Sequence, residues 1–337
     1  MRPETRRQYD AYTQRIAQLN GVSNPANMFA IEPSVQQAME RRIQESSAFL
    51  QAINMVPVTD LQGERVGVGV SSTIAGRTDT SGDAERKPRD VTDLDSNKYL
   101  CVQTDFDTAI SYARLDAWAA QPKFRHLVRD SIVQRQALDR IMIGFNGTSV
   151  AKTTDRATNP ILQDVNKGWL QQYREHAAER VMSEGGKPGL VKIGGAGADY
   201  ANLDALVMDA VATMIDPWHR HDPGLRVILG RDLIHDKYFP IINKDNAPTE
   251  QLAADLVLGA KRIGGLQPVD VPFIPANAIM ITTLSNLSLY WQIGGRRRYL
   301  QEQPQKNRIA NFESSNDGYV IEDYGLGCVI ENIKVGD

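Results

Sequence analysis

The stretch from Val56 to Tyr112 constrains this chain most, because it reads as one long β-hairpin with almost nothing apolar at its end. Val66-Gly67-Val68-Gly69-Val70 alternates with period two, valine on one face and only glycine on the other. Thr78 to Asp90 then offers Asp79, Asp83, Glu85, Arg86, Lys87, Arg89 and Asp90 and almost nothing that a core could use. Lys98-Tyr99-Leu100-Cys101-Val102 brings the chain back. Hairpin loops in compact domains usually hold about two to five residues, so an ordered arm this long needs a reason outside its own domain. A strand faced with glycine lets another backbone approach closely, and that neighbour can be a second subunit.

Bulk properties narrow the rest. A chain of 337 residues with 42% apolar and 23% charged residues has enough material for one large core or two medium ones. The formal charge of −3 argues against wrapping nucleic acid by bulk electrostatics, and suits a surface that merely tolerates nearby phosphate. The two cysteines, Cys101 and Cys328, exclude a disulfide framework and a thiolate metal cluster. They read as buried thiols, with a single bridge between them left open. The N-terminus lacks an apolar run of signal-peptide length, and no segment approaches the roughly 20 apolar residues of a membrane helix. A soluble intracellular product is expected.

Along the chain, residues 3–20 form an amphipathic helix, with Tyr9, Tyr12, Ile16 and Leu19 at helical spacing. Gly21 to Asn27 breaks it, so the first two dozen residues look detachable. Ser34 is a fair N-cap for one helix from about Val35 to Ile53. Pro122 marks the start of a long helix carrying Phe124, Leu127, Val128, Ile132, Leu138, Ile141, Met142 and Phe145, ending at Gly144 to Gly147. Such a rod commonly serves as a spine for other elements. Further helices are expected over 166–182, 200–215, 231–239 and 249–258. Strands are expected over 225–229, 268–271, 278–282, 288–291, 318–322 and 328–335.

No motif converges on chemistry. Trp218-His219-Arg220-His221-Asp222 offers two histidines without the further ligands a metal needs, and reads as a solvated loop. Gly194-Gly195-Ala196-Gly197-Ala198-Asp199 fits neither phosphate-binding spacing and reads as a turn before a helix. Asp199, Asp204 and Asp209 recur every five residues, which puts them on different faces of a helix. Gly-x-Ser-x-Gly, His-Glu-x-x-His and the calcium-loop pattern do not occur. Arg296-Arg297-Arg298 could touch phosphate, form intersubunit ion pairs or guard a charged strand edge. No catalytic, cofactor-binding or metal residues are assigned.

Taken in order, these elements resemble tailed-phage capsid proteins of the Hong Kong 97-like (Johnson) fold, and within it the major capsid proteins of the peduovirus, or P2-like, group. The matching runs include Ala17-Gln18-Leu19-Asn20-Gly21, Glu32-Pro33-Ser34-Val35, Gln44-Glu45-Ser46-Ser47, Ser96-Asn97-Lys98-Tyr99 and Gly144-Phe145-Asn146-Gly147. Asp199-Tyr200-Ala201, Asp236-Lys237-Tyr238-Phe239-Pro240-Ile241, Lys261-Arg262-Ile263-Gly264 and Ile333-Lys334-Val335-Gly336-Asp337 extend the resemblance over essentially the whole chain.

The resemblance implies an α+β capsid fold with N-arm, extended β-hairpin (E-loop), spine helix, peripheral domain and axial domain. Residues 1–29 would be a cleavable segment that meets a scaffold, and 30–53 the N-arm. Residues 54–112 would be the E-loop over a neighbouring subunit. Residues 113–199 and 316–337 would form the peripheral domain, with its spine helix at 121–146, and 200–315 the axial domain. An internal scaffolding protease would cut near Phe29-Ala30. Arg77, Asp79, Glu85, Arg86, Lys87 and Arg89 become the candidates for intersubunit contact through the arm, since charges of both signs can fix register and partner. Implied partners are further copies of the chain in hexamers and pentamers, the portal protein, and packaged double-stranded DNA by proximity only, with no membrane and no cofactor. The expected location is the virion capsid, assembled in the bacterial host cytoplasm. The alternative is a soluble cytoplasmic α/β enzyme, hydrolase-like, with a deep pocket of convergent polar groups.

Overall fold

The computed structural model of the chain describes residues 1–70, 75, 77–79, 81, 85, 92–119, 124–242 and 262–336. Pro122, the hairpin-tip residues Arg86, Lys87 and Arg89, and the helix expected over 249–258 lie outside the described residues.

Helix α1 (Pro3–Asn20) has the bounds its periodicity predicts, with proline in its first turn. It stops at Gly21, whose φ of +63° is the left-handed value glycine adopts without strain. Strand β1 (Phe29–Ala30) follows, then α2 (Pro33–Glu45) and α3 (Ala48–Ala52). The single helix expected over Val35–Ile53 is therefore two. Ser46 Oγ donates to the Ile43 carbonyl at 2.7 Å, offering the backbone a local alternative at the Ser46-Ser47 break. Ser34 is not the cap either: Pro33 opens the helix, and Glu32 precedes it with no side-chain cap bond.

Strand β2 (Asn54–Val58) leads into β3 (Gln62–Val70) and β4 (Thr92–Leu100), which pair antiparallel from Gln62–Leu100 out to Val70–Thr92. The hairpin ladder is thus shorter than Val56–Tyr112. The flanks expected as part of it, β2 and the returning strands β5 (Val102–Asp105) and β6 (Thr108–Ser111), belong to the main sheet. The reason is burial: Cys101, Thr104 and Phe106 are all inside, so the chain beyond Leu100 has a core to join.

After α4 (Tyr112–Ala119) comes α5 (Phe124–Asn146), a helix of 23 residues. Gly144 lies inside it rather than ending it. A Cβ at Gly144 would sit 2.2 Å from the Trp169 ring, and one at Gly168 would sit 2.3 Å from the Ile143 and Gly144 carbonyls. These two glycines let α6 (Trp169–His176) cross α5 at backbone distance. Trp169 is fully buried there, donates Nε1–H to the Ser288 carbonyl at 3.0 Å, and meets Phe49, Phe145 and Tyr319 edge-on at centroid distances of 5.2–5.9 Å. The helix expected over 166–182 is only α6, followed by a short 3-10 turn and β7 (Val181–Met182), because Ala177 leaves helical geometry at φ −148°.

The remaining elements are β8 (Val191–Ile193), α7 (Leu203–Met214), β9 (Leu225–Leu229), α8 (Arg231–Ile242), β10 (Gln267–Asp270), β11 (Ile279–Thr283), β12 (Leu287–Gln292), β13 (Arg297–Gln303), β14 (Arg308–Ile321), β15 (Cys328–Ile330) and β16 (Ile333–Val335). Helix α7 starts later than Tyr200 because Asn202 caps it, accepting from the Ala205 N–H at 2.9 Å. The strand expected over 328–335 is split at Asn332, whose φ is +57°.

Two sheets organise these parts. The larger runs β1-β13-β14-β12-β2, with β5 and β6 also paired to β14; the smaller runs β10-β9-β11-β15-β7. The main core lies where α3, α5 and α6 meet the β12–β14 region, and a second core packs α7 on the smaller sheet. Cys101 and Cys328 are free and sit in different clusters, which closes the question of a bridge. Burial pushes both thiols up to about 12, so neither is a nucleophile at neutral pH.

Candidate functional site

The hairpin is rooted firmly. Tyr99 packs tilted against Tyr290 with centroids 5.1 Å apart, a Cβ at Gly63 would collide with the Tyr99 ring at 2.7 Å, and Cys101 N–H donates to the Leu61 carbonyl at 2.8 Å. Arg77, Asp79 and Glu85 are all exposed at the far end. Ser81 donates to Asp79 from its backbone N–H at 3.0 Å and its hydroxyl at 2.6 Å, which holds that carboxyl below the usual range.

The N-terminal segment is separable in sequence yet docked in space. Tyr9 packs with Leu115, Val128, Ile132 and Ile309, and Ile16 with Phe29, Ile31 and Leu300. Arg6 forks onto Glu302 at 2.8 and 2.6 Å, and Tyr112 donates to the same carboxylate at 2.8 Å, which lowers the Glu302 pKa. Thr5 and the Arg2 N–H both donate to Asp116. Phe29 and Ala30 form β1, paired antiparallel with Arg298 and Arg297 of β13; Phe29 is buried and Ala30 exposed.

Arg296-Arg297-Arg298 is not a basic surface patch. Only Arg297 is exposed. Arg298 donates to Asn311 Oδ1 at 2.6 Å and to Tyr12 OH at 3.1 Å. Arg296 is fully buried, bonded to Glu40, to Glu313 at 2.8 Å and to Gln136 Oε1 at 2.6 Å. The expectation of a three-arginine edge or phosphate contact fails because the Arg296 and Arg298 side chains turn inward, leaving Arg297 alone at the surface.

Arg296 leads into a cluster that the sequence reading missed. Arg140 of α5, also fully buried, grips Asp317 at 2.9 and 3.0 Å and Glu40 at 2.5 and 3.2 Å. Three carboxylates therefore share two guanidinium groups in the interior, and the ties join α2, α5, β14 and the turn before β13. Burial pushes the Glu40 carboxyl up, but Arg140 and Arg296 outweigh it and leave the pKa below the ordinary value. Glu313 is lowered in the same way, with Arg296 and Arg298 overcoming its burial. Asp317 goes the other way: burial, with the Glu40 charge added, raises it despite Arg140. One sequence signal could have found the cluster. Glu40 follows Gln36 and precedes Ile43, and Arg140 follows Gln136 and precedes Ile143, so each falls on the inward stripe of its helix.

The motifs without chemistry stay apart. His219 Nε2 lies 3.1 Å from Asp323, while Asp199 accepts backbone N–H groups of Gly186 and Lys192. Asp204 receives Lys237 and the Gly264 N–H, and Asp209 receives Tyr200 OH. Among the described residues no helix is long and apolar enough to cross a membrane.

Residues 8–333 match the family model described as phage major capsid protein, P2 family. The chain is 50% identical to the "Capsid proteins" of Escherichia phage P2, across 100% of this chain and 96% of that one. It is 42% identical to the "Major capsid protein" of Serratia phage KSP20, across 98% of this chain and 96% of the other. Among solved structures, a satellite phage P4 procapsid that includes the size determination (Sid) protein contains a chain with TM-score 0.82 and 47% identity, covering 100% of this chain and 99% of that one. The capsid of an empty GTA particle matches at TM-score 0.51 and 14% identity over 86% of this chain and 90% of its own, a likeness of fold alone. Both curated relatives are shell proteins, which overturns the alternative of a hydrolase-like enzyme. The chain belongs to the P2 family of phage major capsid proteins, with the Hong Kong 97-like fold, and is a structural, non-enzymatic subunit of the icosahedral virion capsid of a tailed phage.

Proposed function

We propose that, within the icosahedral shell, this subunit is arranged as hexamers and pentamers bound together by the β3–β4 arm. In this reading 54–112 is the E-loop lying over a neighbour, 121–146 the spine helix, 113–199 with 316–337 the peripheral domain, and 200–315 the axial domain. The observation that carries it is the arm itself. It has a nine-residue ladder on each strand, a root fixed on Tyr290 and the main sheet, and an end where Arg77, Asp79 and Glu85 stand exposed. Exposed charges of both signs are suited to fixing register against another subunit.

The reading extends to processing. Residues 1–29 contain a break of turn residues, Gly21 to Asn27, just before their end, and an internal scaffolding protease would remove them at Phe29-Ala30, with the portal protein and packaged DNA as the other neighbours of the shell. Pairing of β1 with β13 supports an ordered substrate: the strand is already extended, but it must leave β13 before a protease can hold it. The test is to express the chain with its scaffold, image the products and weigh the subunit from purified particles. Shells whose subunit starts at Ala30 are the expected result. Small oligomers alone would overturn the arm's role, and shells whose subunit still starts at Met1 would overturn the processing.

A further inference from the structure

A cleft of about 570 Å³ lies between α1, α2 and α5. Its floor is apolar, made by Ile16 and Leu19 from α1, Val35 and Met39 from α2, and Ile132 and Val133 from α5. Leu19 is 44% exposed there, a large side chain left at the lip of a hydrophobic surface. The charge around this floor is mostly basic. Arg15 rises from the α1 wall and Arg42 from the α2 wall, and neither has an ion-pair partner among the described residues. Arg129 and His126 stand on the α5 side, Arg129 being bonded to Asp130. Glu313 is the one carboxylate among the lining residues, and Arg296 already holds it.

We propose that this cleft docks the apolar face of an acidic amphipathic helix from a partner protein. From Ser34 to Arg42 the α2 wall is about 12 Å long, or about two helical turns, at ~1.5 Å per residue. That length accommodates the i, i+3/i+4 and i+7 anchors by which a helix enters a groove. Two unpaired arginines on facing walls favour carboxylates flanking that apolar stripe and reject a basic helix.

The walls also say when the partner is bound. Arg15, Ile16 and Leu19 all lie in α1, so the cleft exists only while the N-terminal segment is attached. An occupant needed in a finished shell, such as a second copy, would lose its seat on processing, whereas a transient assembly partner would be released by it. The proposal rests on the scaffold reading above for that place in assembly, but peptide binding is read without shells and so stands or falls separately.

The probe is a fluorescent 18-residue helical peptide with leucines at i, i+4, i+7 and i+11 and glutamates flanking them, titrated with the unassembled full chain. A second peptide carries lysines in place of the glutamates. The expected result is saturable binding of the glutamate peptide, with the lysine peptide at least 10-fold weaker. The R15E/R42E variant should reverse that order. Both substitutions are on exposed side chains, so folding should persist. Equal affinity for the two peptides, an order unchanged by R15E/R42E, or no binding of the glutamate peptide would each overturn the proposal. So would a dimer of the wild-type chain in sedimentation equilibrium that R15E/R42E abolishes, since it would assign the cleft to a second copy.

Discussion

The end of the hairpin and the interior around Arg140 hold the same kinds of side chain in opposite surroundings. At the hairpin, Arg77, Asp79 and Glu85 face solvent. In the interior, Arg140, Arg296, Glu40, Glu313 and Asp317 exclude it almost completely and satisfy one another. In water an ion pair gains little, whereas a buried one is costly to break because each charge left behind has no solvent. Charge in this protein thus stands in two settings: the interior set ties α2, α5 and β14 together, while the exposed set stays in solvent and is the one proposed to meet other subunits.

The largest effect should come from breaking the interior set. Arg140→Met removes the shared partner of Glu40 and Asp317 and should destabilise the chain by about 3–5 kcal/mol. Urea unfolding of the unassembled subunit measures it. A cost below ~1 kcal/mol would mean the cluster is wet or loosely made, and the contrast with the hairpin would collapse.

The hairpin should behave in reverse. Exchanging the charges in R77E/E85R, both at exposed positions, should move subunit stability by no more than ~0.5 kcal/mol, as exposed substitutions usually do. Shell yield with scaffold should nevertheless fall about 10-fold, equivalent to ~1.4 kcal/mol in an association equilibrium. Unfolding curves and sedimentation of the same preparation separate the two. Normal yield would leave the arm without its intersubunit role.

This contrast also explains what could be read from the chain. Where burial follows a local period the bounds are right: α1 and β9 fall on the expected residues, and α5 ends at Asn146, the expected end of the spine. Where stability comes from distant partners there is no local sign. β13 and the first half of β14 were missed because Arg298, Glu302, Asn311, Glu313, Ser315 and Asp317 read as surface residues, yet each has a partner inside the fold. Glu40 meets Arg296 across 256 positions, a pairing that no window along the sequence can see. The same blindness made Arg296-Arg297-Arg298 look like a basic patch. The hairpin was legible for the opposite reason: its polar tip lacks anything to bury, and that lack is itself local.

The subtlest test lies within the interior set, where the carboxylates do not titrate alike. Glu40 and Glu313 have lowered folded pKa values, so their contribution to stability is present above the unfolded carboxylate range and lost as pH falls through the folded values. Asp317 has a raised one, so its contribution is fully present below its unfolded pKa and is lost as pH rises through the folded value. Asp317→Asn keeps the shape and an acceptor for Arg140 but cannot ionise. Its cost relative to the natural chain should therefore be smaller at pH 7 than near pH 4, where the natural Asp317 is increasingly protonated and behaves much like the amide. Parallel urea titrations of both proteins at the two pH values give the sign directly. A cost that grows towards pH 7 would mean that the ionised Asp317 is stabilised by Arg140 beyond its burial, and that the interior cluster holds all three of its negative charges without strain.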